Sequence, residues 1–142
     1  MSSTKILVVK DDADVRLGYR ILLEAQDYET CFAADAESVL TVARKELPHL
    51  ILLDLGLPAG DGFFVLHRLA NTETLSHIPV IVVSARDHPH NAARALKAGA
   101  KAYVRKPWDD DELLALIRQE LKEAERPDSD LSRPDTGNPF PG

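Results

Sequence analysis

A doubly wound α/β domain on a five-stranded parallel sheet is the fold class this sequence predicts, and two observations predict it. Short aliphatic runs alternate with helix-like patterns about five times, the signature of βαβ units. Those runs also end in chemically active residues. Lys5-Ile6-Leu7-Val8-Val9 leads into Lys10-Asp11-Asp12, and Leu50-Ile51-Leu52-Leu53 leads into Asp54. Pro79-Val80-Ile81-Val82-Val83 leads into Ser84, and Ala102-Tyr103-Val104-Arg105 into Lys106-Pro107. In open α/β sheets the carboxyl edge is where ligands bind. Carboxylates, a hydroxyl and an ammonium gathered there suit phosphoryl transfer.

The elements follow in order. Residues 14–26 predict a first helix, because Val15, Leu17, Ile21, Leu22 and Ala25 recur near the 3.6 period. Residues 29–33 make a second strand, the weakest of the set, as an edge strand would be. Helix two spans 36–46 with Asp35 as N-cap. Gly60-Asp61-Gly62 marks a turn before helix three over 63–70. Helix four starts at Pro89 or His90 and stops at Gly99, a suitable residue just past a helix end. Helix five covers 109–124, with Asp109-Asp110-Asp111-Glu112 at the end where the helix dipole favours negative charge. That run lacks the spacing of a calcium loop. After Arg126, Pro127, Pro134, Pro139 and Pro141 alternate with Asp, Ser and Gly in a segment that cannot build a core. The chain therefore divides into a domain over 1–125 and a Pro-rich tail over 126–142, read as disordered or as a linker cut short.

Composition narrows the function. A chain of 142 residues suits one domain with a sizeable core. A formal net charge of -6 argues against a general phosphate-backbone binder. The single Cys31 excludes an intramolecular disulfide and fits a reducing compartment. No apolar run reaches the ~20 residues that span a bilayer, and no signal-peptide pattern opens the chain. A cytoplasmic location without membrane contact is the expectation.

Right-handed crossovers and sequential strand pairing favour the flavodoxin-like strand order 2-1-3-4-5. Its switch point would set Asp11 beside Asp54. Two neighbouring carboxylates repel and need a cation, a shared proton or an ammonium. Mg²⁺ is the natural cation, since it takes oxygen ligands and commonly uses one or two carboxylates plus phosphate. Taken singly, Asp54 could be a turn former, Ser84 a loop hydroxyl and Lys106 a solvated charge. Their joint arrival at strand ends favours chemistry. His88-Pro89-His90 has two histidines without a third ligand and reads as solvated. Trp108 is expected to anchor the start of helix five, with a partner contact as the alternative.

From residue 4 to residue 122 the chain resembles the receiver domain of two-component response regulators. The motifs that carry the resemblance are Ile6-Leu7-Val8-Val9 before acidic residues, Leu53-Asp54-Leu55 with Leu57-Pro58 and Asp61-Gly62, Val83-Ser84-Ala85, Ala98-Gly99-Ala100, and Lys106-Pro107. The resemblance implies that Asp54 accepts a phosphoryl group from a kinase phosphohistidine. It implies Asp11, Asp54 and the Gly56 backbone carbonyl as Mg²⁺ ligands. Ser84 would hydrogen-bond the phosphoryl oxygens and Lys106 would ion-pair with them, its bond to Pro107 commonly being cis in the family. Tyr103 matches an aromatic switch that rotates as Ser84 moves, although an aromatic on a terminal strand also serves core packing. Catalysis would be limited to gaining and losing the phosphoryl group at Asp54.

Lys10 departs from the pattern. The family usually carries Asp or Glu there, which the resemblance assigns to holding Mg²⁺ through water. The formal charges at positions 10, 11, 54 and 106 sum to zero here, against two negative with an acid at position 10. For a divalent ion roughly 6 Å away, that swing is about 3 kcal/mol at the dielectric of water and about 11 at an effective dielectric of 20, as bare Coulomb energies. Asp12 could partly substitute, or Lys10 could pair with Asp54 and do part of the metal's work, or it could point to solvent. The expectation is weakened Mg²⁺ binding and slower phosphorylation.

Three function classes compete. The first is a phosphoacceptor module that switches protein partners, loaded by a sensor histidine kinase or a phosphotransfer protein. The second is a pseudo-receiver interaction module, supported by Lys10 alone. The third is a flavodoxin-like cofactor binder or an aspartyl phosphatase. The former lacks its Gly/Ser/Thr-rich phosphate loop after the first strand, and the latter would carry an acid where Gly56 stands. No DNA-reading unit fits into 126–142, and Lys101-Ala102-Tyr103 lacks the acidic residues of receivers that dimerise before binding DNA. The expectation is therefore a stand-alone receiver acting through protein partners, or one excised from a larger kinase or regulator. Its contact would lie on the helix 4–strand 5–helix 5 face, with no nucleic acid bound by this chain.

Overall fold

Each aliphatic run forms a strand, and the burial of each strand sets its place in the sheet. The computed structural model describes residues 4–54, 61–84, 89–106 and 109–125. Strands β1 (Lys5–Val9), β2 (Glu29–Ala33), β3 (Leu50–Asp54), β4 (Val80–Ser84) and β5 (Ala102–Arg105) alternate with five helices. These are α1 (Ala13–Glu24), α2 (Ala36–Glu46), α3 (Asp61–Ala70), α4 (Pro89–Lys97) and α5 (Asp110–Glu125). The sheet is parallel in the expected order β2-β1-β3-β4-β5. β3 and β4 are buried along their whole length, whereas β2 and β5 are part-exposed edges.

Side chains alternate across the sheet and build two cores. Leu7, Val9, Ile51, Leu53 and Val82 pack against Val39 and Ala43 of α2, Leu66 and Leu69 of α3, and Ala95 of α4. Ile6, Val8, Leu50, Leu52 and Val83 pack on the opposite face against Tyr19 and Leu23 of α1 and Leu113 and Ile117 of α5. Full burial of each such aliphatic stabilises the fold by ~1.5–3 kcal/mol over leaving it in water.

Helix ends obey local chemistry. Asp35 caps α2 by accepting the Ser38 N–H at 2.9 Å. Asp109 caps α5 through the Asp111 N–H at 3.0 Å, so the acidic run acts as helix capping, as expected. α4 closes in a Schellman motif, with Ala100 N–H donating to the Ala95 carbonyl and Gly99 N–H to that of Leu96. Gly99 takes φ +117°, which explains the glycine.

Two expectations need correction. Asp61 and Gly62 open α3 instead of forming a turn before it. On α1, Leu17 and Ile21 are 51% and 64% exposed, while Tyr19 and Leu23 are buried. At 100° per residue, Leu17 lies ~200° around the helix from Val15, whereas Tyr19 returns to within ~40°. The stripe facing the sheet is therefore Val15, Tyr19, Leu22 and Leu23. The tail 126–142, Trp108, the Lys106–Pro107 bond and the side chains of the 88–90 histidines lie outside the described residues.

Candidate site at the carboxyl edge of the sheet

Strand register brings the singled-out residues together. Val9 pairs with Leu53, Asp54 with Val83, and Ser84 with Arg105. Lys10 and Lys106 each lie one residue past a strand end. The Lys10 N–H donates to the Ala33 carbonyl at 3.0 Å and the Lys106 N–H to the Ser84 carbonyl at 2.8 Å, so both backbones extend the sheet. By the two-residue period, Asp54 falls on the α1/α5 side with Leu52. Ser84 and Tyr103 fall on the α3/α4 side with Val82.

Asp54 is only 2% exposed, and a carboxylate that deep needs charged or hydrogen-bonding partners. Lys106 Nζ donates to its Oδ2 at 2.5 Å. Lys10 Nζ approaches the same oxygen at 3.7 Å and also lies 3.7 Å from Asp11 Oδ1. The Lys10 side chain is 13% exposed, so it does not point to solvent. It reaches into the site and pairs with Asp54, as one of the sequence alternatives had it. Asp12 is committed elsewhere. Its Oδ1 accepts the N–H groups of Asp14 and Val15 at 2.8 and 3.1 Å and caps α1.

Two contributors were not singled out in the sequence. Arg16 donates from its guanidinium to the Lys10 carbonyl at 2.8 Å and holds that corner of the backbone. Tyr19 is buried on α1; burial pushes its phenol well above the ordinary range, and the negative charge of Asp54 adds to the rise. For Tyr19 the signal was the 15–19–23 spacing, which turns one side of α1 toward the sheet.

Ser84 is fully buried at the end of β4. Tyr103 is half-buried against the α2/α3/α4 core, so its packing role is visible. Gly56, the expected carbonyl ligand, lies outside the described residues, as do Leu57-Pro58 and Ala85. Among the described residues no three His, Cys, Asp or Glu side chains gather as a metal-binding group. The arrangement offers one buried carboxylate and two ammonium groups, with a hydroxyl ending the adjacent strand, at one edge of the sheet.

Comparison with known proteins gives a consistent result. The family model described as the response regulator receiver domain matches residues 6–118. The response regulator PleD of Caulobacter vibrioides is 40% identical over 117 residues, which covers 82% of this chain and 26% of that protein. The transcriptional regulatory protein YxdJ of Bacillus subtilis is 35% identical over 120 residues, covering 84% of this chain and 51% of that one. The crystal structure of a CheY-like receiver domain protein from Methanospirillum hungatei superposes with a TM-score of 0.80 at 31% identity, covering 87% of this chain and 98% of that one. The chain thus spans between about a quarter and a half of the length of these two relatives.

Proposed function

This chain belongs to the response regulator receiver domain family of two-component systems, and from that premise we propose that Asp54 is its phosphoacceptor. The observation that carries the proposal is the Lys106 ammonium on a buried Asp54 carboxylate oxygen at 2.5 Å, with Ser84 ending the adjacent strand. An Asp54 oxygen attacks phosphorus, the P–N bond to the donor histidine breaks, and the bonding pair leaves on the ring nitrogen. Positioning and charge neutralisation supply most of the catalysis in such transfers. The contact of the Lys106 ammonium with Asp54 Oδ2 supports that role.

Receiver domains are generally non-enzymatic signalling modules, and gain and loss of the phosphoryl group would be this chain's own chemistry. The added charge and acceptor oxygens on Asp54 would draw in the Ser84 hydroxyl, and Tyr103 would follow as the switch. Ser84 and Tyr103 share one face of the sheet, which supports that coupling. A sensor histidine kinase or phosphotransfer protein would load the site. Output would be read by a protein partner on the α4–β5–α5 face, in a cytoplasmic setting. No helix among the described residues is long and apolar enough to cross a membrane.

Receiver domains generally use Mg²⁺. Asp11 and Asp54 offer the oxygen ligands a hard cation prefers, and the Gly56 carbonyl would complete the set. Yet the Lys10 ammonium stands 3.7 Å from both carboxylates, and two cations exclude each other there. The residues as they stand do not fit the ion, and no step above runs through it. Lys10 also favours a second reading, an interaction module that responds to neither phosphate nor metal.

Intact-mass measurement after incubation with acetyl phosphate separates the two readings. One added phosphoryl group, mapped to Asp54 and missing in Asp54→Asn, is the expected result. No incorporation under any condition would leave the interaction module.

A further inference from the structure

We propose that Lys10 is a built-in counter-ion that takes the divalent cation's place between Asp11 and Asp54, so that this receiver holds Mg²⁺ weakly. Its Nζ is equidistant from the two carboxylates, at 3.7 Å from each. Its side chain is largely withdrawn from water, unlike a surface lysine that merely passes near acids. Its backbone is clamped on both sides, by the Ala33 carbonyl and by the Arg16 guanidinium. The ammonium can therefore leave the site only by side-chain rotation, not by drift of the strand end.

Charge explains the consequence. With Lys10 the four formal charges of the cluster already cancel, so an entering divalent ion would leave a surplus of two positive charges. An acid at position 10 would let the same ion end at neutrality. Ion entry also requires expelling an ammonium from between two carboxylates, which attraction to both opposes. Toward a phosphoryl group the same lysine has the opposite effect. Two ammonium groups face Asp54 Oδ2, and both attract an added dianion. Weak Mg²⁺ binding follows from the geometry alone; reduced need for Mg²⁺ in phosphoryl transfer rests on the reading of Asp54 as acceptor.

The test is a Mg²⁺ titration of the full chain followed by two-dimensional NMR, in wild type, Lys10→Asp and Lys10→Met. Dispersed spectra report that each variant folds. The expected result is an affinity about tenfold or more tighter in Lys10→Asp than in wild type, with Lys10→Met between them. Should Lys10→Asp fail to fold, tighter Mg²⁺ binding in Lys10→Met alone carries the proposal. Equal affinity in wild type and the folded variants overturns it. Acetyl phosphate labelling of the same samples, with and without Mg²⁺, adds an independent readout. Mg²⁺ should stimulate labelling less in wild type than in Lys10→Asp, and equal stimulation counts against the proposal. Labelling of no variant would sink the phosphoacceptor reading while the titration still decides the role of Lys10.

Discussion

On the β5 side of Asp54, Lys106 hydrogen-bonds Oδ2 at 2.5 Å; on the β1 side, Lys10 reaches the same oxygen at 3.7 Å and divides its attraction with Asp11. At an effective dielectric of 20 the two bare attractions are ~7 and ~4 kcal/mol, each before the cost of withdrawing the ions from water. The first contact is directional and committed to one acceptor. The second is Coulombic and diffuse. On the proposed reading the β5 side would hold the phosphoryl group, and the β1 side presents a cation where the family resemblance expects an acid. One sheet edge thus carries two arms that respond differently to the same carboxylate.

Removing the shared carboxylate should have the largest effect. Asp54→Asn should abolish phosphoryl incorporation by intact mass. Asp54→Ala should also lower stability by about 3 kcal/mol in urea melts, because two part-buried ammonium groups lose their partner. A stabilised variant would mean that burying the Asp54 carboxylate costs more than the two ammonium groups return.

Next come the two arms themselves. Lys106→Met should slow acetyl phosphate labelling by roughly 10²-fold, the scale for losing one directed charge donor at a reacting oxygen. Lys10→Met should slow it by less than about tenfold, since its contact is longer and shared. Equal losses in the labelling rates would erase the distinction between the arms.

The supports of each arm differ in the same direction. Gly99→Ala, beside β5, should cost about 2 kcal/mol by thermal melting. A Cβ there meets φ +117° and stands 3.2 Å from the Ala70 Cβ. Asp12→Ala, beside β1, should cost only about 1 kcal/mol, the loss of one N-cap. The reverse ranking would place the more rigid support under Lys10.

The strands were legible because aliphatic runs with active termini admit few arrangements. Topology followed from crossover handedness and the weak, polar character of residues 29–33, which do form an edge strand. The approach of Lys106 to Asp54 was legible because both stand at strand ends. The face of α1 was not. Counting apolar residues favoured Leu17 and Ile21, whereas burial selected Tyr19, whose hydroxyl made it look less like core. Arg16 was invisible for a related reason, since a guanidinium bond to a backbone carbonyl leaves no pattern in a sequence. For Lys10 the sequence posed the alternatives, and only the side-chain path into the site chose among them.

The measurement that tests the central claim most directly is a two-dimensional NMR comparison of wild type and Asp54→Asn with beryllofluoride, a tetrahedral phosphoryl mimic. A live acceptor predicts saturable shifts at the Ser84, Tyr103 and Lys106 amides in wild type and none in Asp54→Asn. Absence of shifts in wild type, or the same shifts in both proteins, would contradict it.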